Sequence, residues 1–386
     1  MALPIGYNLR NVRQRWKTSL LALVGIALVV AVLVVLVAMS NGVRQTLRST
    51  GIPGNAIVVQ KGSASELTSG ITSDQAGVLS VDGRVLRAGD GKPLASPEMV
   101  VVANLLRADG QPTNVLIRGV TPKAFEVRAG IRLIEGRRFS PGLSEIIVGA
   151  RIRDRIPGLR LGQSIQLKRR EWRVVGVFDA EGSGFESEVW GDADVMRQAF
   201  SRMGGWQSLT LRLTDPASLT GFAAEIDRNP MFQVQLKEEQ AYYADQAGSV
   251  STALLFLGGF VAVVMGIGAV FGAMNTMNGI VAARTREIGT LRVLGFTRSA
   301  ILAGFLIESF ALAITGGVLG VLLALPAHGF TTATSNAFSE LAFAFRITPG
   351  GILVGLTFAA VMGIVGGLLP ALRAARVPIT AALRES

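Results

Sequence analysis

The sequence Arg284-Thr285-Arg286-Glu287-Ile288-Gly289-Thr290-Leu291-Arg292-Val293-Leu294-Gly295 lies between two long apolar runs. Ile288, Leu291 and Leu294 recur at three-residue spacing, which places them on one side of a short helix. The stretch is also basic, with Arg284, Arg286 and Arg292 against Glu287. A basic amphipathic segment between two membrane spans belongs at the cytoplasmic surface. There it is either a loop lying on lipid headgroups or a knob that docks a soluble partner.

The apolar run before it covers Val250 to Val281, and the one after it about Ile301 to Leu325. A further run covers about Gly351 to Leu372, and the first covers Ser19 to Ser40. Each is long enough to cross a ~30 Å hydrocarbon core at ~1.5 Å per residue. The first run exceeds the apolar region of a signal peptide, which is about 7–15 residues. It reads as a retained span. With 386 residues, 49% of them hydrophobic and 17% charged, and a mean hydropathy of +0.45, the chain reads as a membrane protein with a soluble portion attached.

The formal net charge of +11 points first to a polyanion, but its distribution does not. Residues 1–18 hold four basic side chains and no acid, 282–300 four against one, and 371–386 three against one. The 206 residues from 45 to 250 hold 25 basic and 23 acidic side chains, close to balance. The excess marks membrane flanks, not a nucleic-acid groove. Four spans put all three basic segments on one side, which identifies the cytoplasm and places both termini there.

The chain therefore divides into 1–18 (cytoplasmic, basic), 19–49 (first span with a stalk extension) and 50–235 (extracytoplasmic core domain). Then follow 236–281 (stalk and second span), 282–300 (cytoplasmic coupling segment) and 301–325 (third span). It ends with 326–350 (extracytoplasmic loop), 351–372 (fourth span) and 373–386 (cytoplasmic C-terminus). The fold class is an α+β membrane protein with a large two-lobed extracytoplasmic domain between the first and second spans. Gly268 with Gly272, and Gly316 with Gly320, are small-xxx-small pairs that let helices approach closely. With only four spans, a homodimer is expected. Glu308 is the acid most clearly inside a span. As a lone carboxylate it is read as snorkelling, or as paired with Arg298 or a neighbouring helix, and not as a proton or substrate site.

In the large domain, short β-branched segments read as strands at 56–60, 99–106, 115–120, 145–148, 164–167, 172–178 and 208–213. Helices are expected at about 191–203 and 216–228, the latter started by Asp215-Pro216. Residues 61–75 and 83–98 read as loops. Leu236, Gln240, Tyr243, Ala247 and Val250 continue helical spacing into the second span as a stalk. The acidic stretch 179–194 lacks the ligand spacing of a calcium loop and reads as a solvated loop with Phe185 and Trp190 as packing anchors.

Chemistry of a known catalytic kind is not written in the chain. Gly91-Lys92-Pro93 is no phosphate-cradling loop, and there is no nucleophile elbow, zinc-binding helix or dinucleotide fingerprint. His328 is the only histidine and there is no cysteine, so no metal site is expected. A non-catalytic membrane subunit is the reading, with an unmotivated carboxylate enzyme kept as its rival.

One span, a large extracytoplasmic domain and three further spans resemble the layout of MacB/FtsX-type ABC permeases, the type VII or mechanotransmission class. Arg284 to Gly289 and Leu291 to Gly295 resemble the family's cytoplasmic turn after its second span. Leu306-Ile307-Glu308-Ser309 resembles the start of its third span. Leu369-Pro370-Ala371, Arg373 to Arg376 and Pro378 resemble its C-terminal end. Gly119 to Pro122, Gly136 to Phe139 and Val174 to Val177 are similar to landmarks of its outer domain.

The resemblance implies a homodimeric permease of the cytoplasmic (inner) membrane, moved by a separate cytoplasmic ATPase that binds ATP and Mg, this chain itself holding no cofactor. The ATPase-coupling residues would be Arg284, Glu287, Ile288, Gly289, Leu291, Arg292, Leu294 and Gly295. Some members add a periplasmic adaptor (membrane fusion) protein. Membrane lipids are expected partners and nucleic acid is not. The implied cargo is a lipid, lipoprotein, peptide or amphiphilic molecule. The alternative is a non-transporting signalling subunit that regulates a periplasmic or cell-wall enzyme.

Overall fold

A computed structural model describes residues 16–335 and 340–377. Arg10, Arg13, Arg15, Pro378 and most of the segment 373–386 lie outside the described residues.

The first described elements are helix α1 (Trp16–Arg48), strand β1 (Asn55–Gln60) and α2 (Ser73–Ser80). Next come β2 (Ala95–Leu106), β3 (Pro112–Val120), α3 (Ala124–Val127), β4 (Arg132–Gly136), β5 (Glu145–Gly149), β6 (Ser164–Leu167) and β7 (Arg170–Asp179). Then follow β8 (Glu188–Asp192), α4 (Ala193–Ala199), β9 (Ser208–Arg212), α5 (Leu219–Arg228) and β10 (Val234–Glu238). The remainder is α6 (Glu239–Ala283), α7 (Thr285–Val293), α8 (Arg298–Ala324), the hairpin β11 (Thr331–Ser335) and β12 (Glu340–Ala344), and α9 (Pro349–Ala375). The helices α1, α6, α8 and α9 are long and apolar enough to cross a membrane.

Two compact units result. One takes residues 252–330 and the described residues before 42 and from 345 onward; the other takes 42–251 and 331–344. In the first unit, small residues set the packing. A Cβ on Gly316 would meet Ile26 and the Leu23 carbonyl, and one on Gly320 would collide with the Ala27 carbonyl and Val30. Those two glycines therefore seat α1 against α8, as small-xxx-small pairs do. Gly363 and Gly367 accept α8 in the same way, and Ser309 Oγ donates to the Gly363 carbonyl at 2.6 Å. Gly268 and Gly272 of α6 meet nothing within 4 Å. They lie on an exposed apolar face with Phe260, Val264 and Phe271.

The second unit is a mixed sheet in the order β10-β1-β9-β2-β3-β8-β5-β7-β4, with β6 on β7. β2 is long and changes partner along its length. Ala95 to Glu98 pair with β9, and Met99 to Leu106 pair with β3. One apolar core lies under β1, β9, α2 and α5, around Phe222, Leu209 and Leu211. A second gathers Phe125, Phe178, Phe185, Trp190 and Tyr243, and a third Trp172, Ile146 and Met196.

Several sequence expectations change here. The acidic stretch 179–194 is no solvated loop. It holds β8, buried at every residue and paired parallel to β3 and antiparallel to β5. Three of its carboxylates are used inside, while Glu181 and Asp194 stay exposed: Glu186 bonds Arg151 at 2.9 Å, Glu188 bonds Arg118, and Asp192 caps α4 through Val195 N. Phe185 and Trp190 do pack, their rings 5.5 Å apart and edge-on. Leu236 is not in a stalk helix but in β10, opposite Val58 of β1, and the helix starts at Glu239. The stretch 83–98 ends as strand, 73–80 is a helix with a Thr72–Gln75 capping box, and 326–350 contains a hairpin.

Candidate functional site

The segment 284–295 forms a tight corner followed by a two-turn helix. α6 ends at Ala283, Arg284 leaves helical geometry (φ −118°, ψ 12°), and α7 runs to Val293. Gly295 then takes φ +92°, a region that favours glycine, and Thr297 caps α8 by accepting from Ala300 N.

The corner is anchored from below. Ile288 is buried among Met277, Ile280, Ile301, Phe305 and Ala371. Arg284 is buried too, donating from Nη1 to Glu308 Oε2 at 3.0 Å and from Nε to Glu287 Oε2 at 3.0 Å. Its guanidinium lies 5.4 Å from the Phe305 ring centre. Glu308 is thus paired with Arg284 of the corner and not with Arg298, which is exposed. Buried ions require such partners, because a carboxylate alone in an apolar span is costly.

This divides the expected coupling residues. Arg284, Ile288 and Gly289 are buried and hold the segment in place. Leu291 and Arg292 are half-buried, with Arg292 Nη1 reaching the Phe296 carbonyl at 3.5 Å. Glu287, Leu294 and Gly295 are exposed. So are Arg286, Thr290 and Val293, which the three-residue spacing of Ile288, Leu291 and Leu294 did not single out. The reason is geometric: residues three apart drift around a helix of 3.6 per turn, so Ile288 and Leu294, which follows the last helical residue, point roughly 120° apart.

The second unit holds a polar centre that sequence reading missed. Arg118 on β3 is 1% exposed and donates through all five of its N–H groups. They go to Glu188 on β8, Glu66 in the 3-10 turn 66–68, and Glu98 on β2. Arg128, just after α3, bonds the other oxygen of Glu98, Glu239 Oε1 at 2.7 Å and Thr210 Oγ1 at 2.8 Å. Glu239 Oε2 accepts from Ile52 N at 3.1 Å and Asn55 Nδ2 at 3.0 Å. Tyr243 Oη and Ser208 Oγ donate to Glu66, and Trp190 Nε1 to Glu188. Every carboxylate oxygen of the four glutamates accepts at least one of these bonds.

Burial pushes the Glu66 carboxyl up, but the charge and hydrogen bonds of Arg118, with help from Ser208, outweigh it and hold it at about 2. Burial likewise opposes the Arg118 charge, and the Glu188 and Glu66 carboxylates more than offset it, keeping it well above its ordinary range.

The MacB-like periplasmic core domain family matches residues 19–229, and the FtsX-like permease C-terminal family matches 259–379. The chain belongs to the MacB/FtsX-type ABC permeases. It is therefore a multi-pass membrane protein of permease type. Among relatives of this family, the pyoverdine export ATP-binding/permease protein PvdT of Pseudomonas entomophila is 26% identical over 392 residues, covering 96% of this chain and 58% of that protein. The macrolide export ATP-binding/permease protein MacB of Sodalis glossinidius is 29% identical over 402 residues, covering 95% and 58%. The chain thus spans under two thirds of the length of these relatives. The solved periplasmic region of MacB from Actinobacillus actinomycetemcomitans is also similar, with 12% identity, a TM-score of 0.38, and coverage of 54% of this chain and 96% of that one.

Proposed function

We propose that this chain is the membrane subunit of an ABC exporter, driven by a cytoplasmic ATPase that docks on α7. The observation that carries the proposal is the pair Val293 and Leu294, 58% and 66% exposed at the end of α7. A short helix whose base is anchored by Ile288 and by the Arg284–Glu308 pair offers a rigid apolar tip to a groove on a soluble partner. Glu287 and Arg286 beside it set register by charge.

In this reading the membrane is the inner membrane and both termini are cytoplasmic. Two copies pack on the open α6 face at Gly268 and Gly272. The partner hands of β2, toward β9 and then toward β3, support a division of the second unit into two lobes. The cargo is a lipid, lipoprotein, peptide or amphiphilic small molecule. The small-molecule class draws support from relatives named for exporting pyoverdine and macrolides. A periplasmic adaptor completes the path.

The test is co-purification of the ATPase with Leu294→Asp. We expect the ATPase to be lost while the chain still inserts and remains folded. Glu287→Arg weakens the same association. Retention of the ATPase by both variants would remove α7 as the docking element.

A further inference from the structure

The buried charge centre meets both helices that carry the chain between the two units. α1 ends at Arg48, and the Arg48 carbonyl accepts from Gln240 Nε2 at 3.0 Å. Four residues later Ile52 N donates to Glu239, the first residue of α6. Gly51 between them takes φ +86°, and a Cβ there would strike Glu239 Cγ and the Gln240 backbone. One carboxylate thus receives the chain leaving α1 and starts α6, where the positive end of the helix favours its charge.

From Glu239 the bonds run inward without a break. Arg128 joins Glu239 to Glu98, Glu98 joins Arg128 to Arg118, and Arg118 joins Glu66 and Glu188. Tyr243, one turn along α6, returns to Glu66 at 2.9 Å. The path therefore touches α6 twice and reaches β2, β3, β8 and β9. Arg128 and Arg118 both lie over the Phe185 ring, at 4.8 and 5.3 Å. In a fully buried ionic network whose carboxylate oxygens are all bonded, a shift leaves a charge unpaired, which favours one geometry. Hydrocarbon packing alone slides more readily.

We infer that the Glu239–Arg128–Glu98–Arg118 chain is a rigid joint that makes the sheet follow α1 and α6, so that Glu239 is a positioning residue for the movement of the second unit. This rests on the motor-driven reading for its purpose, but the joint itself is a property of the chain alone.

The chain has no cysteine, so labels can be placed without removing any. Nitroxides at Asp245→Cys on α6 and Glu171→Cys on β7, both exposed in the full-length chain, report the helix-to-sheet distance by electron–electron resonance. The native background should give a single narrow distribution. Glu239→Gln should lose it to a broad one, whereas Phe222→Leu, which weakens a different core of the same unit, should keep it. A narrow distribution in Glu239→Gln, or an equal broadening in Phe222→Leu, overturns the joint.

A second measurement uses the complex with its ATPase and Mg-ATP plus vanadate, reading each label between two copies. In the native background both separations should change. In Glu239→Gln the α6 separation should change and the β7 separation should not; a change in both overturns the joint. If neither moves in the native background, the motor-driven reading falls, and the first measurement alone decides the joint.

Discussion

Among the described residues of the helical unit, Arg284 and Glu308 are the two buried charges, 8% and 4% exposed. Removing one leaves the other uncompensated, which costs about 3–5 kcal/mol. Glu308→Ala should therefore sharply lower the denaturant midpoint of the solubilised chain, and Arg284→Met combined with Glu308→Leu should recover most of the loss. A Glu308→Ala chain as stable as the original would contradict a buried pair. The acid inside the span was legible, since no other ionisable residue sits so deep in an apolar run. Its partner was not. Arg298, on the same helix, lies ten residues or about 15 Å of helix away, whereas Arg284 arrives only because the backbone leaves helical geometry at that residue.

The same limit hid the charge centre of the second unit. Glu66, Glu98, Arg118, Arg128, Glu188 and Glu239 share no local motif, and only the sheet order brings them together. Glu66 binds its proton at about 2 when folded, against an ordinary 4.5. Its contribution to stability is therefore full above about 4.5 and is lost as pH falls toward about 2. Acid unfolding followed by Trp fluorescence should show this window, and Glu66→Gln should be less stable at neutral pH with a flatter acid profile. A parallel profile in the variant would assign the acid sensitivity elsewhere. Glu145 adds to the same window, held at about 2 by hydrogen bonds from Arg137.

Among elements, the four long helices were readable because a membrane demands length and apolarity and little else. Their contacts were readable in part. Gly316 and Gly320 seat α1, as their spacing implies, while Gly268 and Gly272 look away from the chain. Gly320→Leu should force α1 from α8, costing about 1–3 kcal/mol or more, since the Ala27 carbonyl cannot retreat far along a helix. A cysteine pair across the two helices would then fail to crosslink. Unimpaired crosslinking would mean that the helices tolerate the bulk. β8 and β10 were missed for different reasons. β8 carries acids that a sequence reader assigns to solvent, and β10 merges with helical spacing at Leu236, where five residues cannot distinguish period two from period 3.6.

At the scale of the whole chain, apolar runs and basic flanks gave the layout of helices around one large insertion. They could not give the second crossing into that insertion. Thr331–Ala344 belongs with residues 42–251, although α6, α7 and α8 intervene in sequence. Ser187 Oγ accepts from Ala342 N at 3.0 Å, and Arg151 Nη1 donates to the Ala342 carbonyl at 3.1 Å. Phe343 is fully buried, and Gly42 lies so close that a Cβ there would clash with Ala344 and the Phe343 ring.

Whoever transplants this domain between relatives must therefore lift two pieces of gene, not one. A graft of 42–251 alone should melt below a graft that also carries 331–344 across a linker, and equal melting would show the hairpin to be dispensable. For evolution the same arithmetic holds: a recombination that exchanges the long insertion cleanly at its own borders still leaves the recipient's hairpin facing a stranger's Ser187 and Arg151.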